Sequence, residues 1–117
     1  MTERDANRPV PGVREFETEQ YDRALPLLLP LAEQGYAEAQ CMVGVIYQLG
    51  LGGVLVDPAI ALHWYAQSAA SGYGVASNNL AGMYLAGVGV PADRQRAQRL
   101  YEQARSQGFE HGLAALK

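Results

Sequence analysis

Charge is scarce in the middle of this 117-residue chain, and cysteine is scarce throughout it. Between Tyr36 and Ala92 the charged side chains are Glu38 and Asp57, and every Lys and Arg lies outside that stretch. The formal net charge of −3 does not support nucleic-acid binding, which needs a basic surface. A central surface of Gln, Asn, Ser, Tyr and Gly offers little that would repel another protein.

Groups that could carry chemistry are also few. The single Cys41 excludes an internal disulfide, and its neighbours Met42 and Val43 favour a half-buried structural thiol. His63 and His111 have no Cys, Asp or Glu partner at the spacing of a metal site. The sequence therefore predicts no catalytic site, no metal and no cofactor, and a protein that is not an enzyme.

No long apolar run is present near the N-terminus. Residues 1–14 hold Pro9, Pro11 and Gly12 among mixed charges and have almost nothing to bury, so they are predicted to form a flexible leader. They lack the apolar segment of a secretory signal or of a transmembrane helix. The expectation is a cytoplasmic protein without membrane insertion, or a periplasmic one if a signal has been removed.

Glycine is plentiful but does not form a phosphate loop. Gly50, Gly52 and Gly53 in one stretch, and Gly87 and Gly89 in another, follow no predicted strand and precede no Gly-Lys-Ser or Gly-Lys-Thr. We interpret them as turn positions with left-handed backbone between paired helices.

The chain repeats itself. Residues 36–72 return, one residue shorter, as residues 73–108, with a glycine at each joint. The landmarks keep their order in both copies: Ala39, Val43, Gly44, Tyr47, Gly50, Asp57, Ala61 and Tyr65, then Ala76, Leu80, Ala81, Tyr84, Gly87, Asp93, Ala97 and Tyr101. A period in the mid-thirties is the sequence mark of a helical solenoid.

Helices are predicted at about 16–35, 37–49, 58–72, 75–86 and 93–107. The first should be kinked, or split between Asp22 and Pro26, because Pro26 and Pro30 each remove a backbone hydrogen bond. Trp64 and Tyr65 are predicted to form the wedge between the two complete units.

This pattern resembles the Sel-one-like repeat, a relative of the tetratricopeptide repeat with a longer inter-helix loop. The resemblance implies an all-α fold, a right-handed α/α superhelix of helix pairs. Its parts would be a partial unit 15–35, complete units 36–72 and 73–108, and a truncated unit 109–117. The chain departs from the family pattern at three positions that affect packing at the C-terminal edge. The family has Trp, Ala and Ala where this chain has Leu100, Arg105 and Gly112.

The resemblance also implies a function. Proteins of this kind, most often bacterial, act as scaffolds or adaptors and bind a protein or peptide through the concave surface that the first helix of each pair lines. Amides suit peptide backbone because they both donate and accept hydrogen bonds. The candidate partner-binding residues are Asn79, Asn78, Gln48, Gln40 and Met42. The alternative is that Asn78 and Asn79 bridge neighbouring helices.

Three other functions stay open. The chain could be a dedicated inhibitor or immunity protein for one toxin or enzyme. It could be a β-lactam-binding enzyme of the family's cysteine-rich branch, although the paired cysteines of that branch are absent. It could form a homo-oligomer through Leu113 and Leu116 at the C-terminal edge, or belong to a longer array. The cluster of Arg94, Arg96, Arg99 and Arg105 is predicted to be a solvated face, with an anionic partner as the alternative.

Overall fold

The computed structural model describes residues 10–109. Over that range it contains six helices and no strand: α1 Val13–Glu17, α2 Tyr21–Glu33, α3 Ala37–Leu49, α4 Pro58–Ala70, α5 Gly74–Ala86 and α6 Arg94–Ser106. Each helix packs mainly on its neighbours in the chain, with α3–α4 and α5–α6 as the most extensive pairs. The predicted all-α solenoid is confirmed. Most of the predicted leader and of the truncated unit 109–117, including Leu113 and Leu116, lies outside the described residues.

The N-terminal helix is split at a different place from the one predicted. The break falls at residues 18–20, where Glu19 has φ 63°, and α2 runs without interruption through Pro26 and Pro30. The two prolines are four residues apart, and they are exposed, as is Asp22 one turn earlier. The carbonyls of Asp22 and Pro26, which lose their intrahelical donors, therefore lie on the solvent side, where water can satisfy them.

The core consists of two layers. The first lies between α1, α2 and α3, and its buried members are Val13, Ala24, Leu28, Ala32, Ala39, Val43 and Ile46. The second lies between α3, α4 and α5, and its buried members are Cys41, Ala61, Tyr65, Ala69, Ala76, Leu80 and Met83. The burial of Val13 means that ordered packing begins before residue 15. Small alanines recur in both layers because the helices cross closely.

Trp64 and Tyr65 face different layers. Tyr65 is 1% exposed in the second layer, between the complete units, as predicted. Trp64 is half-buried against the first layer, so its predicted place between the complete units was wrong. Successive residues of a helix point about 100° apart, and adjacent aromatic rings cannot both enter one interface.

The second helix of each pair begins in the same way. The Asp57 carboxylate accepts a hydrogen bond from the Ile60 amide at 3.2 Å, and the Asp93 carboxylate accepts one from Arg96 at 3.0 Å. The Asp57 amide also donates to the Tyr47 carbonyl at 2.8 Å, which ties α4 to the helix before it. The glycine loops that precede these caps have left-handed backbone, as predicted.

Candidate functional site

One side of α3 and α5 is left uncovered by the other helices. On α3 four of the partly or fully exposed positions recur at spacings of four, three and four, which places these four on one helical face. The equivalent positions of α5 have the same spacing. We call the eight residues the open face: Glu38, Met42, Val45 and Leu49 on α3, and Val75, Asn79, Gly82 and Ala86 on α5.

The open face is apolar and nearly uncharged. Its single charged residue is Glu38, at the start of α3. Leu49 is 59% exposed, whereas Met42 and Val45 are half-buried against the first and second core layers respectively. Its α5 half ends in the small residues Gly82 and Ala86. A surface of this kind can remove apolar area from water without desolvating charge.

Of the five candidate residues, Met42 and Asn79 lie on the open face. The Asn79 amide nitrogen lies 3.8 Å from the Cys41 sulfur, and it also contacts the Tyr65 side chain. Burial raises the pKa of Cys41 to about 12, although the contact with Asn79 acts in the opposite direction. Burial raises the pKa of Tyr65 as well. Both groups are therefore neutral at physiological pH, and Cys41 is more deeply buried than the sequence indicates.

Gln40 and Gln48 make contacts inside the protein. Gln40 is 5% exposed, and its amide nitrogen donates to the Ala32 carbonyl at 3.0 Å. Its amide oxygen is buried without a hydrogen-bond partner among the described residues. Gln48 accepts a hydrogen bond of 2.7 Å from the Tyr65 hydroxyl. These amides connect helices of the array and lie outside the open face.

Asn78 points away from the first unit. Its neighbours in sequence divide between the two sides of α5, because Ser77 is buried and Asn79 lies on the open face. The Asn78 amide oxygen is buried and has no hydrogen-bond partner among residues 10–109. The structure therefore separates Asn78 from Met42 and Asn79.

Sequence reasoning missed most of the open face. Apart from Met42 it selected polar residues, and it passed over the other apolar ones, which include Val45 and Leu49 on α3 and Val75 on α5. The signal was available in the spacing, since Val45 and Leu49 follow Met42 by three and seven residues. Counting three-residue and four-residue steps from Met42 would have found them.

Other polar features of the described residues lie on α4 and α6. The four arginines of α6 are exposed, and the Arg96 guanidinium lies 4.8 Å from the centre of the Tyr84 ring. His63 is exposed, and its ring lies edge-on to Trp64 at 5.0 Å. Among the residues that the structure describes, no group of three or more His, Cys, Asp or Glu could hold a metal ion. Nor does any described helix have the length and apolar character needed to cross a membrane.

The two helix pairs coincide with a known repeat. The chain matches the family model of the Sel1 repeat at residues 37–73, which contain α3 and α4, and again at residues 74–109, which contain α5 and α6. The chain belongs to the Sel1 repeat family. Sel1 repeat proteins generally mediate protein–protein interaction, and the fold is generally non-catalytic.

Known Sel1-type relatives are longer than this chain. It is 41% identical over 66 residues to chitin synthase regulatory factor 3 of Schizosaccharomyces pombe, a match that covers 56% of this chain and 7% of the relative. The crystal structure of a Sel1 repeat protein from Oxalobacter formigenes is similar with a TM-score of 0.79 and 29% identity, over 86% of this chain and 41% of that one.

A second solved structure is that of a protective antigen present in uropathogenic Escherichia coli strains, which displays an SLR (Sel-one-like repeat) fold. The TM-score is 0.72 at 35% identity, over 79% of this chain and 20% of the antigen. The chain thus spans less than half the length of each of these three proteins.

Proposed function

We propose that this Sel1 repeat protein is a non-enzymatic interaction module, a scaffold or adaptor, that binds a segment of a partner protein along the open face. One observation carries the proposal. The open face presents partly exposed apolar side chains with a single charge, whereas the exposed side of α6 carries four arginines. Leu49, at 59% exposure, is the most prominent apolar group of that face.

The energetics favour a partner segment that is itself largely apolar. Burying the exposed part of Leu49, together with Met42 and Val45, gains about 25 cal/mol for each Å² removed from water. Gly82 and Ala86 have little or no side chain, so a partner backbone could approach α5 closely there. The Asn79 amide, placed between these groups, is suited to hydrogen-bond that backbone.

The experiment uses two leucines that differ in location. Leu49 lies on the open face, and Leu55 lies in the following loop at 86% exposure. A photo-crosslinking amino acid at position 49 should capture a protein from an extract of the source organism, whereas the same group at position 55 should not. With the captured partner, Leu49→Glu should weaken binding at least tenfold, or about 1.4 kcal/mol. The control Leu55→Glu should change it less than about twofold.

Asn79→Leu provides the polar test. It should weaken binding at least tenfold with little change in melting temperature, because an unpaired buried amide or peptide group costs about 1–3 kcal/mol. Normal binding with a lower melting temperature would assign Asn79 to its contact with Cys41. Equal crosslinking from positions 49 and 55 would contradict binding at the open face.

A further inference from the structure

Within residues 10–109, the second unit has a surface that no helix covers, whereas the equivalent surface of the first unit is covered. In the first unit α5 packs on α4 and contributes to the second core layer, which contains Cys41 and Tyr65 and against which Val45 and Leu62 pack. The repeat register assigns their counterparts in the second unit as Asn78, Gly82, Gln98 and Tyr101. No described helix packs over these counterparts. The established contact between units therefore shows what shape of partner this surface accepts.

A cavity of about 400 Å³ lies on that surface, between α5 and α6. We call its lining, together with Gly82, the end face: Gly82, Leu85, Arg94, Ala97, Gln98 and Tyr101. A Cβ added to Gly82 would meet the Tyr101 hydroxyl at 3.9 Å and no other heavy atom within 4 Å, among those that the structure describes. The floor is apolar, and there is room for side chains from outside.

The charge of the end face indicates what the occupant carries. In the first unit the loop after α5 rests on the start of α4, because a Cβ on Gly89 would lie 2.9 Å from the Pro58 Cβ. The counterpart of Pro58 is Arg94, which lines the cavity. Helix α5 has no charged residue, and no carboxylate lines the cavity. A residue in the place of Gly89 would face a guanidinium, and the complementary group is a carboxylate.

We propose that the end face binds a single amphipathic helix of a partner protein. Its apolar residues fill the cavity over Ala97 and Tyr101, and a carboxylate just beyond its C-terminus pairs with Arg94. This is a helix-in-groove contact that shares Gly82 with the open face and otherwise uses different residues. A second copy of the chain in a symmetric contact fits poorly, because it would oppose Arg94 with an end face that also lacks carboxylates.

The end face is also more polar than the surface of the first unit that contacts the second unit. Gln98 stands where the first unit has Leu62, and Arg94 stands where it has Pro58. A polar rim around an apolar floor is typical of contacts that form between separate proteins, since both partners must also be soluble alone.

The test uses the full chain and a phage-displayed library of random peptides of about 16 residues, enough for four helical turns. Selected peptides should repeat apolar residues at helical spacing and end in Asp or Glu. Arg94→Glu should weaken their binding at least tenfold. The matched control Arg99→Glu, on the same helix but outside the cavity lining, should change it less than about twofold.

Circular dichroism and a melting curve show whether each variant is folded. If Arg94→Glu is not, Gln98→Lys at the exposed rim takes its place with the same expected loss. Peptides without carboxylates, or equal binding to Arg94→Glu and Arg99→Glu, would overturn the proposal. Two further outcomes would overturn it, because the chain itself would then be the occupant. One is peptide binding that appears only after removal of the residues beyond Phe109, and the other is a dimer that Arg94→Glu dissociates.

Discussion

Two glycines inside equivalent helices should respond in opposite ways to replacement by alanine. Gly44 on α3 faces Tyr65, and an added Cβ would lie 2.6 Å from Cε1 and 2.7 Å from Cδ1 of that ring. Gly82 on α5, one residue after the counterpart of Gly44, has open space instead, with the Tyr101 hydroxyl at 3.9 Å as the single neighbour within 4 Å in the described structure. The helical preference for alanine is the same at both sites, so any difference in stability between the two variants should come from packing.

The magnitudes follow from these contacts. Alanine is more favourable than glycine in a helix interior by about 1 kcal/mol. Gly82→Ala should therefore raise the free energy of unfolding by about 0.5–1 kcal/mol. At Gly44 the same gain is opposed by overpacking, which costs about 1–3 kcal/mol. The Tyr65 ring is 1% exposed, and its hydroxyl is fixed by the 2.7 Å bond to Gln48, so the cost should be near the upper end. We expect a net loss of about 1–2 kcal/mol.

Urea unfolding, monitored by circular dichroism, gives the free energy of unfolding of both variants. For a domain of this size each kcal/mol shifts the melting temperature by about 4–8 °C, so the two variants should differ clearly. Combining Gly44→Ala with Tyr65→Leu should cost less than the sum of the single changes, because the smaller side chain removes the clash. A Gly44→Ala protein as stable as the unmodified chain would refute the idea that Gly44 sets the α3–α4 distance.

The remaining predictions concern buried polar groups. Burial raises the Cys41 pKa from 9.0 to about 12, so the stability from its neutral thiol is complete below pH 9.0 and lost as pH rises to about 12. In the Cys41→Ala variant the urea unfolding midpoint should therefore fall less steeply as pH rises above 9.0. An equally steep fall would contradict the assignment of this pH dependence to Cys41. Gln107→Ala should cost about 0.5–1.5 kcal/mol in thermal unfolding, because the Ala69 carbonyl loses the hydrogen bond from the Gln107 side chain but keeps the one from the Gly72 amide at 3.0 Å. Adding Ser77→Gln should restore part of that loss, and no recovery would show that the two units are not equivalent there.

The sequence was sufficient to predict the fold because the same pattern occurs twice, so each copy supports the interpretation of the other. Ala39 and Ala76, in equivalent places, are both fully buried where helices cross. The prolines of α2 show the limit of local rules, since Pro26 and Pro30 are tolerated once they face solvent. Which side of a helix faces solvent is fixed by packing against other helices. The partial unit 15–35 departs too far from the repeat pattern for its buried side to be predicted from the sequence.

The candidate site was harder to predict for a different reason. An amide on a helix can bind a partner or connect two parts of its own chain, and its sequence neighbours do not distinguish these roles. Gln40 bonds the Ala32 carbonyl eight residues earlier, and Gln48 accepts from Tyr65 seventeen residues later. Those partners become evident only when the helices are in place.

The differences between the units carry information that the shared landmarks do not. The Ala32 carbonyl receives a side-chain hydrogen bond from Gln40, whereas the equivalent Ala69 carbonyl receives one from Gln107 at 3.1 Å, and Ser77 in the place of Gln40 donates to Gln107 at 2.6 Å. Here the residues changed while a side-chain hydrogen bond to the equivalent carbonyl was kept. At Asn78 and Gly82 the residues changed, and no described helix covers them. Packing within residues 10–109 explains the first kind of change but not the second, and a partner helix on the end face, as proposed, would explain the second.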